Sequence, residues 1–184
     1  MPLRDAQIRA VNILSFLTAH SMIKEVNGDI LLSGAQIIAH GVAPNDHFDS
    51  GLALSLREEF PGMYKDFRQY CHQAHPKAGE IWRWQGEERQ IVNLLTQDPS
   101  DNKGHGGHPG RASLSNVTHA LHELKKLISR EKLRSVAITR LATGVGGLDW
   151  EEVKPLIYSQ LNDVDAAVFV YTSYVKNQIA RETL

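Results

Sequence analysis

Residues 136–150 read VAITRLATGVGGLDW and contain the signals that decide the fold. The apolar run Val136-Ala137-Ile138 predicts a buried strand. The glycine-rich stretch that follows it predicts a tight loop. Asp149 and Glu152 then have the spacing of a helix N-cap and its reciprocal capping partner. The segment therefore predicts a strand, a loop and a capped helix in direct succession.

The same alternation of strand and helix signals extends along the rest of the chain. Short apolar runs bounded by glycine or proline predict strands, and apolar residues at three- and four-residue spacing predict helices. Because parallel strands need crossover connections, this alternation favours a three-layer α/β/α fold with a central mixed, largely parallel sheet. The predicted strands span residues 30–32, 36–39, 81–84, 90–96 and 167–171, and the predicted helices span 52–60, 63–70 and 117–128.

Length and composition are those of one globular domain. The chain has 184 residues and lacks a long linker rich in Pro, Gly or Ser, so we expect a single domain over residues 1–184. Apolar residues between Leu3 and Leu17 recur at helical spacing and predict a helical extension at about residues 1–20. The sequence contains no uninterrupted apolar run of membrane-spanning length, so we expect no membrane partner.

Charge and cysteine content restrict the function classes further. Lys and Arg number 20 against 21 Asp and Glu, so a nucleic-acid partner would need a local basic surface rather than a strong global charge. Cys71 is the single cysteine, which excludes an intramolecular disulfide and is compatible with a reducing compartment. We therefore expect a cytoplasmic protein.

The glycine-rich loop over residues 141–148 predicts an anion site. Glycines allow positive φ angles and close approach of the backbone, so several N–H groups can converge on phosphate oxygens. The N-terminus of the following helix adds favourable electrostatics, and this chemistry suits a pyrophosphate. A glycine-rich turn before a helix can equally be structural.

The position of this loop excludes two common nucleotide-binding folds. The chain has no GxxxxGK[ST] run, and the loop follows a late strand, so neither a P-loop NTPase nor a Rossmann dehydrogenase fits. In an open α/β sheet, ligands bind at the carboxyl ends of strands. We therefore expect the loops after Ala39 and Leu141 to meet in one cleft.

Four segments resemble, in chain order, the motifs of the macrodomain family. They are Gly28-Asp29-Ile30, the pair Ala39-His40-Gly41-Val42 and Ser50-Gly51-Leu52-Ala53, residues 141–150, and Tyr171. The second segment resembles the branch of terminal ADP-ribose glycohydrolases, and the third resembles both that branch and the antitoxins that remove ADP-ribose from DNA. The resemblance spans residues 27–171 and implies a three-layer domain that holds ADP-ribose above its sheet.

The resemblance implies a role for each segment. Asp29 would accept a hydrogen bond from the adenine amino group, and the amide of Ile30 would read the ring. Gln97 and Tyr171 match positions close to the distal ribose. Taken alone, Asp29 could instead be a capping carboxylate, and Tyr171 a core tyrosine. The residues implied to bind ribose and phosphate are Val42, Ser50, Gly51, Leu52, Thr143, Gly144, Val145, Gly146, Gly147 and Leu148.

Departures from this branch bear on catalysis. The hydrolases that the chain resembles carry a lysine where this chain has Gln97, and a glutamine cannot form the same Schiff-base-like intermediate. Some members also have Asp at the position of Gly146 and Ser at that of Ala43. Lys103 could approach the cleft as a substitute, although its spacing differs from the family pattern. A mechanism based on lysine and aspartate is therefore not expected.

His40 offers another catalytic route. It matches a histidine in members that resemble ADP-ribose 1″-phosphate phosphatases, where an imidazole near the distal ribose could act as nucleophile or general acid/base. A second acid could come from Asp46 or Asp49 in the same loop, and His40 and Asp49 are the catalytic candidates. A histidine at a strand end can equally be a structural hydrogen-bonding residue.

Histidine pairs raise the question of a metal. His105 and His108 are closely spaced, as are His72 and His75, but a structural zinc site normally needs four ligands, often cysteines. With one cysteine and no CxxC motif, the chain is expected to bind neither a metal nor a cofactor. The composition of residues 97–112 predicts an exposed loop, and the His105–Arg111 part of it could cover the distal ribose.

The primary prediction is a module that binds ADP-ribose, either free or attached to protein or nucleic acid. One alternative is a hydrolase that removes ADP-ribose, or a phosphatase acting on ADP-ribose 1″-phosphate, that uses His40 and a loop carboxylate. Another is a scaffold in which the cleft no longer has a ligand and the N-terminal helix mediates assembly.

Overall fold

The computed structural model describes residues 21–99 and 109–184. A short 3-10 turn, Ile30–Leu32, separates the first two strands. The helix predicted at about residues 1–20 and the loop residues Lys103, His105 and His108 lie outside the described residues. The elements in chain order are β1 (Ile23–Gly28), β2 (Ile37–Val42), α1 (Gly51–Glu59), α2 (Pro61–Ala74), β3 (Ile81–Gln85), β4 (Gln90–Leu95), α3 (Leu114–Glu131), β5 (Ser135–Thr139), α4 (Trp150–Leu161) and β6 (Ala167–Tyr174).

The six strands form one sheet in the order β1-β6-β5-β2-β4-β3. Neighbouring strands are parallel except for β3 and β4, which form an antiparallel pair. This confirms the predicted mixed, largely parallel sheet. Because parallel strands end at the same edge, the loops after β2, β4 and β5 lie together there.

Helices cover both faces of the sheet because successive strand residues point to opposite sides. On one face, Ile138 of β5 packs in a buried cluster with Leu121 of α3 and Ile157 of α4. On the other, Ile91 of β4 packs in a second cluster with Leu56 of α1 and Phe67 of α2. The predicted three-layer α/β/α architecture is therefore confirmed. Within the described ranges, no helix combines the length and apolarity that crossing a membrane requires.

Asp149 caps the helix that follows the glycine-rich loop, as predicted. Its side chain accepts a hydrogen bond of 3.0 Å from the Glu151 N–H, and α4 begins at the next residue, Trp150. Within residues 21–99 and 109–184, the carboxylate of Glu152 makes no reciprocal bond to Asp149. The cap depends on Asp149 alone and fixes where the loop ends and the helix begins.

Besides the missing bond from Glu152, two further sequence predictions were wrong in detail. Residues 30–32 form a 3-10 turn instead of a strand, because the Asp29 carboxylate accepts from the Leu31 N–H at 3.1 Å and caps the turn. The strand lies earlier, at Ile23–Gly28. The loop over residues 97–112 is not exposed at its ends, since Gln97 and Ala112 are both buried and form an antiparallel bridge.

Candidate functional site

A cleft with two adjoining compartments opens at the carboxyl edge of the sheet. The β2 compartment, of about 290 Å³, lies between the end of β2 and the glycine-rich loop, and its lining includes His40 and Gln97. The β6 compartment, of about 630 Å³, lies near the ends of β1 and β6, and its lining includes Ile30 and Tyr171. The compartments meet at a neck, defined here by the residues that line both: Gly51, Leu52, Thr139, Arg140 and Gly144.

The N-terminus of α1 forms one wall of the neck. Leu54 makes the first helical hydrogen bond, to the Ser50 carbonyl at 3.2 Å, so the N–H groups of Gly51, Leu52 and Ala53 precede the helical ladder. All of these residues except Leu54 line the β2 compartment. The Ser50 side chain makes no capping hydrogen bond, so the helix N-terminus at the cleft has amides without an acceptor among residues 21–99 and 109–184.

Asp46 holds the loop that leads into α1. One carboxylate oxygen accepts from the Ala43 N–H at 3.0 Å, and the other accepts from the Phe48 N–H at 2.9 Å. Burial raises the pKa of the Asp46 carboxyl, while the two backbone bonds act in the opposite direction. With both oxygens engaged by the loop, Asp46 is a structural residue in this arrangement rather than a free acid.

The glycine-rich loop forms the opposite wall. Its own turn is closed by two backbone bonds, from Gly147 to the Gly144 carbonyl at 3.1 Å and from Leu148 to the Ala142 carbonyl at 3.0 Å. The N–H groups of residues 143–146, which lie inside this turn, have no hydrogen-bond acceptor among the described residues. Amides from two loops thus border the neck from both sides, as an anion site requires.

The glycines of this loop serve two different purposes. A Cβ at Gly144 would meet no atom within 4 Å, so this position is open to the cleft. A Cβ at Gly146 would lie 2.6 Å from the Ala142 carbonyl oxygen, so the loop itself requires glycine there. Gly147 has φ +74°, a left-handed backbone that favours glycine.

Some of the residues predicted to bind ribose and phosphate line the cleft, and the others pack behind it or shape its loop. Ser50, Gly51, Leu52, Gly144, Val145 and Gly146 line the β2 compartment, and Thr143 lines the β6 compartment. Val42 and Leu148 instead pack their side chains against the core clusters. Gly147 lines neither compartment and shapes the turn.

His40 lies at the end of β2 and is almost fully buried while still lining the β2 compartment. Its Nε2 atom lies 2.7 Å from Oδ1 of Asn93, and its ring contacts Phe48 edge-on with centroids 5.7 Å apart. Burial lowers the pKa of His40 to about 4, against the opposing effect of the Asn93 bond. At neutral pH the imidazole is therefore uncharged; its Nε2–H donates to Asn93, which leaves Nδ1 as the acceptor, and the lowered pKa makes that nitrogen a weak base.

Asp49 and Gln97 line the same compartment in different ways. The Asp49 side chain is 61% exposed and pairs with Arg57 at 3.3 Å. Gln97 is buried, and its Nε2 donates to the Gly110 carbonyl at 3.1 Å. The structure therefore brings both catalytic candidates, His40 and Asp49, to one compartment with Gln97.

The predicted adenine residues lie at the far end of the cleft. Ile30 is buried and lines the β6 compartment. Asp29 lies behind it, with one oxygen bound by Leu31 and the other accepting from the Asn177 N–H at 3.0 Å. The capping role of Asp29 is thus present in the structure, and its contact with adenine stays a prediction.

Tyr171 lies in the β6 compartment, apart from Gln97 in the β2 compartment. Its hydroxyl donates to Glu182 at 2.6 Å, and burial together with this bond raises the pKa of Tyr171 well above its usual range. The two residues predicted to lie near one distal ribose therefore occupy different compartments.

Several lining residues were not predicted from the sequence, and three of them matter most for the shape and charge of the cleft. Thr139 and Arg140 lie at the neck, and Tyr174, with 61% of its surface exposed, lines the β6 compartment. The sequence did offer one signal for Arg140, since it is a basic residue directly between a buried strand and a glycine-rich loop. Within the described part of the chain, no group of three or more His, Cys, Asp or Glu is placed to hold a metal ion.

Comparison with known proteins identifies a matching family and several relatives. The family model described as Macro domain matches residues 45–157. A DNA ADP-ribosyl glycohydrolase of Mycobacterium tuberculosis (strain ATCC 25618 / H37Rv) is 27% identical over 155 residues, covering 80% of this chain and 42% of that protein. Its counterpart from Thermus aquaticus (strain ATCC BAA-2747 / Y51MC23) is 28% identical over 158 residues, covering 82% and 41%. The chain thus spans about two fifths of the length of these relatives.

Solved structures share the fold. The macrodomain of Thermus aquaticus DarG has a TM-score of 0.69 at 24% identity and covers 82% of this chain and 97% of that chain. Thermosipho africanus DarTG in complex with ADP-ribose has a TM-score of 0.73 at 19% identity, covering 86% of this chain and 43% of that chain. At these identities the likeness concerns the fold.

Proposed function

Because this chain belongs to the macro domain family, we propose that its cleft binds ADP-ribose, either free or as the ADP-ribosyl group of a larger molecule. The observation that carries this proposal is the neck, where the amides of α1 and of the glycine-rich loop border one passage between two compartments. In ADP-ribose a diphosphate likewise joins two larger groups, adenosine and a second ribose, so each group could occupy one compartment with the diphosphate at the neck.

The compartments match the two ends of the ligand. The larger β6 compartment has apolar walls from Ile30, Leu52 and Tyr171, which suit an adenine ring and its ribose. The smaller β2 compartment offers the amide of Gln97 and the imidazole of His40, which suit the hydroxyl groups of the distal ribose. The diphosphate would then lie at the neck, against the N-terminus of α1.

The relatives support the same ligand. Among the solved structures with this fold, one contains ADP-ribose, and the curated relatives are named for acting on ADP-ribosylated DNA. A conjugate of ADP-ribose with nucleic acid is therefore one class of partner for this cleft, and a conjugate with protein is another.

Calorimetric titration of the purified chain with ADP-ribose tests the proposal. We expect saturable binding to one site in the wild type and loss of that binding in Gly144→Val, whose side chain would occupy the neck. Gly62→Val is the matched control, because a Cβ at Gly62 lies 3.7 Å from its nearest neighbour and outside the cleft. A folded wild type that does not bind ADP-ribose would refute the proposal.

Removal of ADP-ribose from a conjugate is the second candidate function. The observation that favours it is the neutral imidazole of His40 in the compartment assigned to the distal ribose, where it could accept a proton from an attacking water. Gln97 in place of the lysine removes a lysine adduct at that position and leaves the His40 route open.

Product analysis on ADP-ribosylated DNA, ADP-ribosylated protein and ADP-ribose 1″-phosphate separates the two functions. If the chain is a hydrolase, His40→Gln should abolish turnover and retain ADP-ribose binding. Asp49→Asn tests the second catalytic candidate and, because Asp49 is exposed, leaves the fold intact. Binding by the wild type without turnover of any of these substrates would identify a binding module.

A further inference from the structure

The neck contains a single strong cation among the described residues that line the cleft. Of the Arg and Lys residues that the structure describes, Arg140 alone is in the lining, and it lines both compartments. The carboxylates Asp46 and Asp49 line only the β2 compartment. Arg140 therefore brings a positive charge to the lining that the two compartments share, together with Gly51 and Leu52 of α1 and Gly144 of the glycine-rich loop.

Contacts within the fold hold the guanidinium of Arg140 beside Thr172, which lines the β6 compartment. Its Cζ lies 5.2 Å from the centre of the Trp150 ring, and one terminal nitrogen lies 3.5 Å from the Thr172 carbonyl oxygen. Its backbone carbonyl accepts a bond of 2.9 Å from the Thr143 hydroxyl, which ties the residue to the glycine-rich loop. A guanidinium held against an aromatic ring keeps its remaining N–H groups available in its own plane.

Backbone amides and a guanidinium contribute differently to anion binding. Amides offer fixed dipoles with no net charge, whereas a guanidinium adds a full charge whose attraction to phosphate is screened by salt. The affinity for a charged ligand at this neck should therefore decrease as the salt concentration increases. We attribute this salt-dependent contribution to Arg140.

We propose that Arg140 is a specificity-determining residue that pairs with the diphosphate of the ligand and makes the cleft favour diphosphate-linked nucleotides. This inference rests on the proposed function and names the group within the ligand that the residue recognises. The Trp150 ring and the Thr172 carbonyl position the guanidinium, and the diphosphate takes the N–H groups that they leave free.

The chain offers a matched control at the other end of the same strand. Arg134 directly precedes β5 and Arg140 directly follows it. Arg134 pairs with Asp165 at 2.7 Å, is 72% exposed and does not line the cleft. Arg134→Gln and Arg140→Gln therefore change the net charge equally while only the second alters the neck.

The experiment measures the affinity for ADP-ribose at several salt concentrations, together with the melting temperature of each variant. For Arg140→Gln we expect an affinity about tenfold lower at low salt and a weaker dependence of affinity on salt than in the wild type. Arg140→Lys should restore most of both, because it restores the charge. Arg134→Gln should behave like the wild type.

The possible outcomes separate this inference from the proposed function. No binding of ADP-ribose by the folded wild type refutes the proposed function. Binding by the wild type with an unchanged affinity and salt dependence in Arg140→Gln overturns only the inference. Equal losses in Arg140→Gln and Arg140→Lys, with a lower melting temperature and an unchanged salt dependence, would also overturn it, because they would assign Arg140 to the packing of Trp150.

Discussion

The hydroxyl of Tyr171 donates a hydrogen bond of 2.6 Å to the carboxylate of Glu182. The same carboxylate accepts from the Ser33 hydroxyl at 2.5 Å and from the Gly34 N–H at 2.9 Å. Glu182 thus joins the wall of the β6 compartment to the segment that follows the 3-10 turn. The tyrosine hydroxyl is engaged within the protein and is not directed at a ligand.

Tyr171→Phe should reduce stability and leave binding intact. Removal of the hydroxyl deletes a hydrogen bond to a carboxylate, so we expect the free energy of unfolding to fall by about 1–3 kcal/mol. The ring keeps its place in the β6 compartment, so the affinity for ADP-ribose should stay that of the wild type. Denaturant titration and calorimetry measure the two quantities. The control is Tyr70→Phe, at a half-buried tyrosine outside the cleft. A large loss of affinity in Tyr171→Phe but not in Tyr70→Phe would contradict the prediction and indicate that the hydroxyl contacts the ligand.

Gly146→Val should damage the loop rather than only obstruct the ligand. Because a Cβ there would lie 2.6 Å from the Ala142 carbonyl oxygen, the turn must open to admit it. We expect a loss of about 1–3 kcal/mol in the free energy of unfolding, together with the loss of ADP-ribose binding. Gly144→Val should lose binding with a free energy of unfolding close to that of the wild type. Equal stabilities of the two variants would contradict this division between the glycines.

His40 should make stability fall in mild acid. Burial lowers the pKa of His40 to about 4 in the folded protein, against 6.5 as the ordinary value, so the unfolded chain binds the proton more tightly. Stability from this group is present above the unfolded value and is lost as the pH falls from 6.5 toward 4. Between pH 7 and pH 5 the loss should be about 2 kcal/mol.

Denaturant titrations at several pH values measure this loss. His40→Gln should show a flatter profile over the same interval, and the difference between the two profiles isolates His40 from other groups. Asp46 acts in the opposite direction, since burial raises its pKa, but it is common to both proteins. Parallel profiles for the wild type and His40→Gln would show that the imidazole is not buried in neutral form.

The motif at residues 136–150 allowed the fold class and half of the cleft to be predicted. A buried strand, a glycine-rich loop and an N-cap are local features, so composition and spacing are sufficient to place them. The structure has each of them where expected, with Asp149 as the cap of α4. The resemblance of the segment around Ser50 to a phosphate loop likewise predicted a wall of the cleft.

β1 escaped prediction because its side-chain pattern is irregular. The strand changes register between Val26 and Asn27, and its buried residues Ile23 and Val26 are three positions apart instead of two. This spacing removes the alternation by which a half-buried strand is recognised. The apolar residues after Asp29 were taken for the strand instead, although the Asp29 carboxylate turns the chain there.

The division of Gln97 and Tyr171 between two compartments depends on strand order. β4 and β6 are separated in the sheet by β5 and β2, so the residues that follow or end them face different parts of the cleft. Spacing along the chain does not specify that order. Arg140 was missed for a different reason. One basic residue after a strand forms no motif, and only its position at the neck in the folded structure indicates a role in binding.

Among the described strands, β1 pairs with β6 alone, and Ile23 lies opposite Val168. During synthesis on a ribosome, the first strand therefore emerges long before its only neighbour exists. Until β6 appears, its backbone donors and acceptors have water as their partner, and the adjoining sheet ends at β5. Pairing over so long a separation is slow, so we expect completion of this edge to be the late step of folding.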